Sequence, residues 1–120
     1  MRKIIHDALL IGIAVMAVLV MVFLFRMEAR LNAMKLMRNQ LQSLRISVNL
    51  YRVIEGKNPS SVEDLVRSEY GFPGERERRR FVDSSMVDSK GGVLDPFGNP
   101  FSIDPRGGWV RSTSPGYEFW

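Results

Sequence analysis

An uninterrupted apolar run, Ala8–Phe25, constrains this chain more than any other stretch. Its eighteen residues carry no charge, and as a helix they extend about 27 Å, close to the ~30 Å hydrocarbon core of a bilayer. A secretory signal has a shorter apolar core and a small-residue cleavage site, whereas Arg26 and Glu28 follow this run. A chain of 120 residues cannot easily bury so many apolar side chains on every face. The run therefore predicts a retained membrane anchor.

The rest of the composition indicates a small polar domain with little catalytic chemistry. Outside the anchor roughly 95 of the 120 residues remain, enough for one domain. There is no cysteine and a single histidine, so no disulfide, thiolate metal site or Cys nucleophile is available, and no catalytic motif appears. The net charge of +4 suits anionic lipid, nucleic acid or an acidic protein and selects none of them. We predict a non-enzyme without a cofactor or a metal.

Basic residues on the two sides of the anchor predict its orientation. The polar N-terminus, residues 1–7, supplies Arg2 and Lys3. Four basic residues follow the anchor: Arg26, Arg30, Lys35 and Arg38. Because positively charged flanks tend to remain in the cytoplasm, this count favours a cytoplasmic C-terminal part.

The carboxylate of Asp7 lies where the chain enters the apolar run, and an unpaired charge in hydrocarbon is costly. Two interpretations stay open. Asp7 either remains hydrated near the first turn of the helix, where negative charge is favoured, or it pairs with a cation. That cation would be Arg2, Lys3 or the amino terminus of a neighbouring chain.

Helical periodicity continues beyond the anchor through residues 26–55. Apolar residues recur there at steps of three and four, forming one seam: Met27, Leu31, Met34, Met37, Leu41, Leu44, Val48 and Tyr51. Arg38, Arg45 and Arg52 recur every seven residues on another face, and Gly56 is a natural helix stop. The seam is either a core face for the rest of this chain, the default near residues 41–54, or a coiled-coil face for another subunit.

Small residues within the anchor favour close helix–helix approach. Ala8 and Gly12 are four positions apart, and Ala14 and Ala17 are three apart. In lipid, small side chains at such spacing allow two helix backbones to come together. We therefore predict these four residues as helix-packing positions.

Residues 56–120 have the pattern of a small α+β head. A short helix is predicted after Pro59, because Ser60 with Glu63, or Ser61 with Asp64, has capping-box spacing. Three short segments rich in aromatic and β-branched residues read as strands of an antiparallel sheet: Phe101–Asp104, Trp109–Ser112 and Tyr117–Trp120. The predicted fold class is α+β, with one long N-terminal helix and a small sheet packed on its second half.

Two groups of charged residues in the head, a mixed-sign run and four aspartates, are predicted to be solvated or to form turns and caps. The mixed-sign run 75–80, ERERRR, is interpreted as a solvated loop or helix face, with phosphate contact as the less favoured alternative. Four aspartates could supply oxygen to a cation, but their spacing is not that of a calcium loop, so turn and capping roles are expected: Asp83, Asp88, Asp95 and Asp104.

Three parts of the sequence together resemble the type IV pilin and type II secretion pseudopilin family, and most closely the major pseudopilin pattern. The long helix is followed by Gly56–Leu65, GKNPSSVEDL, and then by Leu94–Phe101, LDPFGNPF. Trp109–Ser112 follows near the end. The most specific block is the head turn motif, since proline presets φ and Gly and Asn tolerate tight turns: Asp95, Pro96, Phe97, Gly98, Asn99 and Pro100.

The resemblance implies a lollipop-shaped subunit that assembles into a helical filament through its N-terminal helix. Its implied partners are copies of itself, other pilin-like subunits, the inner-membrane assembly machinery and membrane lipid. The head would lie in the periplasm or, after assembly, outside the cell. The alternative is a non-polymerising single-pass protein whose pilin-like domain binds a component of that machinery.

The sequence departs from the family pattern at two places. The usual Gly-Phe processing site and the glutamate at the fifth mature position are absent, and aligning the apolar runs places Arg2-Lys3 and Asp7 at those positions. Asp7 would then pair with a neighbour's amino terminus, together with Arg2 and Lys3 as the charges at the assembly site. The C-terminal residues 114–120 also differ from calcium-binding members, which argues against a calcium site.

Overall fold

A computed structural model describes all 120 residues of the chain. The elements in chain order are α1 (Arg2–Glu55), α2 (Val62–Arg67), β1 (Glu69–Tyr70), β2 (Arg79–Arg80), a 3-10 turn (Ser84–Met86), β3 (Phe101–Ile103) and β4 (Val110–Ser112). The chain divides into two compact units, Met1–Ala33 and Met34–Trp120, and α1 contributes to both. The α+β fold class is confirmed, with antiparallel strand pairs packed on the second half of the long helix.

Helix α1 runs for 54 residues without a break. It ends where the sequence predicts, because Gly56 adopts a φ of 72° and donates its N–H to the carbonyl of Arg52 at 3.0 Å. A positive φ suits glycine, which lacks a Cβ. In the first unit this helix is the only element, and residues 1–32 are all exposed.

The apolar seam of α1 is a core face over its second half only. Its side chains from residue 37 onward are buried: Met37, Leu41, Leu44, Val48 and Tyr51. Met34 is half-buried, while Met27 and Leu31 remain about half exposed. The core face expected by default near residues 41–54 is thus present, but it runs from Met37 to Tyr51, and nothing in the chain covers the beginning of the seam.

Short elements of the head complete the core against this face. The residues that pack with the helix come from α2, from the segments after β2 and before the turn motif, and from β3 and β4: Val62, Leu65, Phe81, Val82, Val93, Phe101 and Val110. Burial of these side chains is the main stabilising contribution to a small domain. The core therefore joins segments that are far apart in the sequence.

The predicted cap of α2 is present. The side chain of Ser61 accepts a hydrogen bond from the backbone N–H of Asp64 at 3.1 Å. In return, the Asp64 carboxylate accepts from the backbone N–H of Ser60 at 3.2 Å. These bonds satisfy donors that the first turn leaves free, and they direct Val62 and Leu65 into the core.

Two of the three predicted strands are confirmed. Strands β3 and β4 pair antiparallel, with Phe101 opposite Ser112 and Ile103 opposite Val110. The third prediction, a strand over Tyr117–Trp120, is wrong, because local turn bonds take the backbone donors there. Tyr117 N–H bonds to the Ser114 carbonyl at 3.0 Å, and Trp120 N–H to the Tyr117 carbonyl at 3.1 Å.

Candidate functional site

The first unit presents the largest exposed apolar surface of the chain. Every large apolar side chain of the run Ala8–Phe25 is about half exposed or more. This helix is long and apolar enough to cross a membrane by length and composition. Exposed apolar patches of this extent mark contacts with lipid or with another chain. The run Ala8–Phe25 is therefore the primary candidate for function.

Helical geometry separates the predicted small residues into two groups. At about 100° per residue, Ala8 and Gly12 lie near one another on one face. Ala14 and Ala17 lie on roughly the opposite face, because the nine positions from Ala8 to Ala17 amount to about two and a half turns of the helix. The helix therefore offers two narrow, close-approach faces instead of one continuous stripe.

Helical geometry also determines which charged residues at the start of α1 share a face with Asp7. The structure begins α1 at Arg2, and its first turn contains no acidic residue, so Asp7 lies one turn further on, with an exposed side chain. Lys3 lies four positions before Asp7, hence on the same face, whereas Arg2 lies well round the helix. The salt bridges of the chain lie in the head, so the carboxylate of Asp7 has no ion-pair partner within its own chain.

The head turn motif folds around the side chain of Asp95. Oδ1 of this carboxylate accepts the backbone N–H groups of Phe97 and Asn99, both at 2.9 Å. The Asp95 N–H bonds to the carbonyl of Asn99 at 2.8 Å, and Gly98 adopts a φ of 82°. The residues 95–99 therefore form a closed loop whose conformation depends on one carboxylate.

The same carboxylate connects this loop to the end of the chain. Oδ2 of Asp95 accepts hydrogen bonds from the hydroxyls of Ser112, at 3.4 Å, and Ser114. Asn99 Nδ2 donates to Ser114 Oγ at 2.8 Å. Asp95 and the two serines are buried. Because its oxygens are occupied by donors of the chain itself, Asp95 has a structural role in the head.

The other three aspartates have the predicted turn and capping roles. Asp83 accepts from the N–H of Ser85 at 2.8 Å, and this hydrogen bond holds the pKa of its carboxyl below the ordinary value. Asp88 and Asp104 each accept two backbone N–H groups in their own turns. No three acidic or histidine side chains come together in a group that could hold a metal.

The charged run 75–80 is not a helix face, because its last two residues form β2. They pair antiparallel with β1, Arg80 opposite Glu69. Arg79 also forms a salt bridge with Glu75 at 3.2 Å. All residues of the run are exposed, which agrees with the predicted solvated role. Sequence patterns missed this hairpin, since strands of two residues show no alternation.

An aromatic ladder at the end of the head was also missed. The rings of Phe97 and Tyr117 stack with centroids 5.1 Å apart, and Tyr117 meets Trp120 edge-on at 5.0 Å. The guanidinium of Arg38 lies 5.9 Å from the Trp120 ring centroid. The density of aromatic residues at 117–120 is the signal in the sequence, but the same pattern also predicts a strand.

No protein-family model, curated protein or solved structure matches this chain. What the chain does is therefore inferred from its own residues and their geometry.

Proposed function

We propose that this chain is a pilin-like structural subunit that assembles through α1 into a type II secretion pseudopilus or a type IV pilus-related filament. One observation carries the proposal: every side chain of residues 1–32 is exposed, although Ala8–Phe25 is apolar throughout. Such a surface is stable in lipid or against other apolar helices, and not in water. A subunit that begins in the bilayer and ends in a bundle of its own kind uses both environments.

The proposed mechanism is polymerisation, in which apolar helices leave the bilayer for a shared filament core. Asp7 supports this mechanism because its carboxylate has no ion-pair partner within the chain. In an apolar bundle, the Asp7 carboxylate would pair with the amino terminus of a neighbouring subunit. Lys3 lies on the same face of the helix and would contribute a second charged group to this contact. Such a pair has one best position, so it would set the axial offset between subunits.

The small residues of the anchor would allow the close packing that a filament core needs. Ala8 and Gly12 lie on one face, and Ala14 and Ala17 on another, so one helix could approach a neighbour on each side. A subunit with two contact faces extends an assembly, whereas a single face closes a dimer. The proposed partners are copies of this chain, other pilin-like subunits and the assembly machinery of the inner membrane.

In this proposal the head lies in the periplasm, or outside the cell after assembly. The head supports the assignment through the turn motif Asp95–Pro100, the part of the sequence that most resembles pseudopilins. Its residues form a closed loop that fixes the end of the chain. A rigid head of this kind would pack regularly along a filament.

The second candidate is a non-polymerising, single-pass membrane protein whose pilin-like domain binds a component of the same machinery. The charge distribution favours it, because four basic residues follow the anchor and two precede it. By the positive-inside tendency, the head of this second candidate would lie in the cytoplasm. Protease treatment of intact spheroplasts separates the candidates: the filament subunit requires a head accessible from the periplasmic side.

The direct test is expression in a bacterium that carries a pseudopilus or type IV pilus assembly system. The proposal expects sheared surface filaments that contain this chain, seen by electron microscopy and immunolabelling. Mass analysis of the N-terminus would show whether the chain is cleaved or methylated. Finding only monomers in the membrane, with the assembly system active, would contradict the proposal.

A further inference from the structure

A groove at the end of the head carries two guanidinium groups that no carboxylate of this chain neutralises. Its lining residues are Arg38, Leu41, Gln42, Arg45 and Trp120. The salt bridges of the chain lie elsewhere, at Arg79 and Arg80. The groove therefore has an excess of positive charge at a concave surface.

Contacts with the head hold both guanidinium groups in place. Arg45 Nη2 donates to the carbonyl of Val110 at 3.3 Å, which leaves its other N–H groups available. The Arg38 guanidinium lies against the Trp120 ring, and Trp120 is itself packed against Tyr117. Placing the side chains before a ligand arrives lowers the entropic cost of binding.

The groove also has an apolar component. Leu41 is 2% exposed and lies beneath the groove, so the half-buried indole of Trp120 is the apolar surface open to a ligand. Arginine pairs with carboxylates through two parallel N–H···O bonds. Two arginines on one groove therefore favour a ligand with at least two carboxylates.

We propose that this groove binds an acidic segment of a partner protein, in which carboxylates occupy alternate positions and so share one face of the segment. Charge complementarity carries the proposal, because the lining side chains include two guanidinium groups and no carboxylate. One heptad separates Arg38 from Arg45, or about 10.5 Å along the helix. An extended peptide places alternate side chains about 6.6 Å apart, so three alternating carboxylates span both arginines. This proposal goes beyond the assembly function and does not rest on it.

The fluorescence emission of Trp120 can report peptide binding in the groove. The chain has two tryptophans, and Trp109 is 65% exposed, so Trp109→Phe leaves Trp120 as the only indole at little structural cost. The full chain, in a neutral detergent, is titrated with the blocked peptide acetyl-Glu-Leu-Glu-Leu-Glu-amide. We expect a saturable change in Trp120 emission that weakens with added salt, and no change with the glutamine analogue.

The arginine column of α1 supplies matched variants. Arg38→Gln and Arg45→Gln should each weaken peptide binding about tenfold, the loss of one charged hydrogen-bonded pair. Arg52→Gln is the control, because Arg52 lies outside the groove and bonds to Asn49 of its own helix. Circular dichroism and thermal unfolding verify that each variant is folded. Arg45→Gln could unfold because it loses the Val110 contact. In that case Arg38→Gln, together with the comparison of the glutamate peptide and its glutamine analogue, still tests whether the groove binds carboxylates.

Three outcomes would overturn the proposal. The first is no saturable binding of the acidic peptide, and the second is equal binding of the glutamine analogue. The third is a concentration-dependent change in Trp120 emission without peptide that Arg38→Gln abolishes, because the occupant would then be a second copy of this chain. Filament formation plays no part in the titration, so these failures leave the assembly proposal unaffected.

Discussion

The hydroxyl of Ser114 donates a hydrogen bond to Oδ2 of Asp95, and both side chains are buried. The two residues are nineteen positions apart in the sequence. Through this bond the turn motif and the last residues of the head form one unit. A single carboxylate thus positions both the loop 95–99 and the chain after β4.

Removing that carboxylate should destabilise the head. Asp95→Ala leaves two backbone N–H groups and two serine hydroxyls without their acceptor, and we expect a loss of about 2–4 kcal/mol in the free energy of unfolding. Urea unfolding followed by tryptophan fluorescence measures the loss. Asp104→Ala is the control, since Asp104 is exposed and accepts its bonds within one turn. Equal losses in the two variants would refute the role assigned to Asp95.

Two glycines with positive φ should differ in their tolerance of alanine. A Cβ at Gly108, where φ is 70°, would lie 2.8 Å from Oδ1 of Asn58, whereas a Cβ at Gly116, where φ is 85°, would meet open space. Both variants incur the cost of a left-handed conformation, about 1–2 kcal/mol. Only Gly108→Ala adds a steric clash, so it should lose about 1–3 kcal/mol more. Thermal unfolding of both variants tests this difference, and equal melting temperatures would contradict it.

The capping bond of Asp83 should appear in the acid stability of the head. Its hydrogen bonds with Ser85 lower the pKa of the carboxyl in the folded state. The bond therefore contributes stability above the unfolded-state pKa, and this contribution is lost as the pH falls through the folded-state pKa. NMR titration of the Asp83 carboxyl should give a pKa below that of the unfolded chain. In Asp83→Asn this part of the acid dependence should vanish, and an unchanged dependence would contradict the assignment.

The charge at the start of α1 should matter for assembly and not for insertion. Asp7→Ala leaves the apolar run Ala8–Phe25 intact, so we expect normal amounts of the variant in the membrane. Without the carboxylate, the amino terminus of a neighbour has no partner in the filament core, and the yield of filaments should fall at least tenfold. Asp7→Glu is the control and should retain assembly. Normal filament yield from Asp7→Ala would remove the charge-pairing mechanism.

The sequence predicted the parts of the fold that follow from local rules. The length of α1 followed from helical periodicity and from the stop at Gly56, and the cap at Ser61 followed from spacing. These features depend on neighbours three or four positions away, which a sequence shows directly. The buried half of the seam could be predicted for the same reason.

Features that depend on distant contacts could not be predicted in this way. The bonds between Asp95 and Ser114, and the position of Arg38 over Trp120, join segments with no common local pattern. The strand expected at Tyr117–Trp120 failed because aromatic content is shared by strands and by packed turns. As for the candidate site, periodicity alone could place the small residues of the run Ala8–Phe25 on two faces of the helix, but no local rule shows whether either face contacts another helix.

The central claim is that the anchor helices of neighbouring subunits contact one another in an assembled filament. The chain has no cysteine, so Gly12→Cys introduces a single thiol, at a position where a Cβ meets open space. Oxidative cross-linking in cells with the assembly system should give dimers from Gly12→Cys, and fewer from the same variant when it also carries Asp7→Ala. Cross-linked dimers that disappear when the assembly system is deleted are the predicted result. Exclusively monomeric Gly12→Cys under conditions in which the assembly system is active would contradict the account.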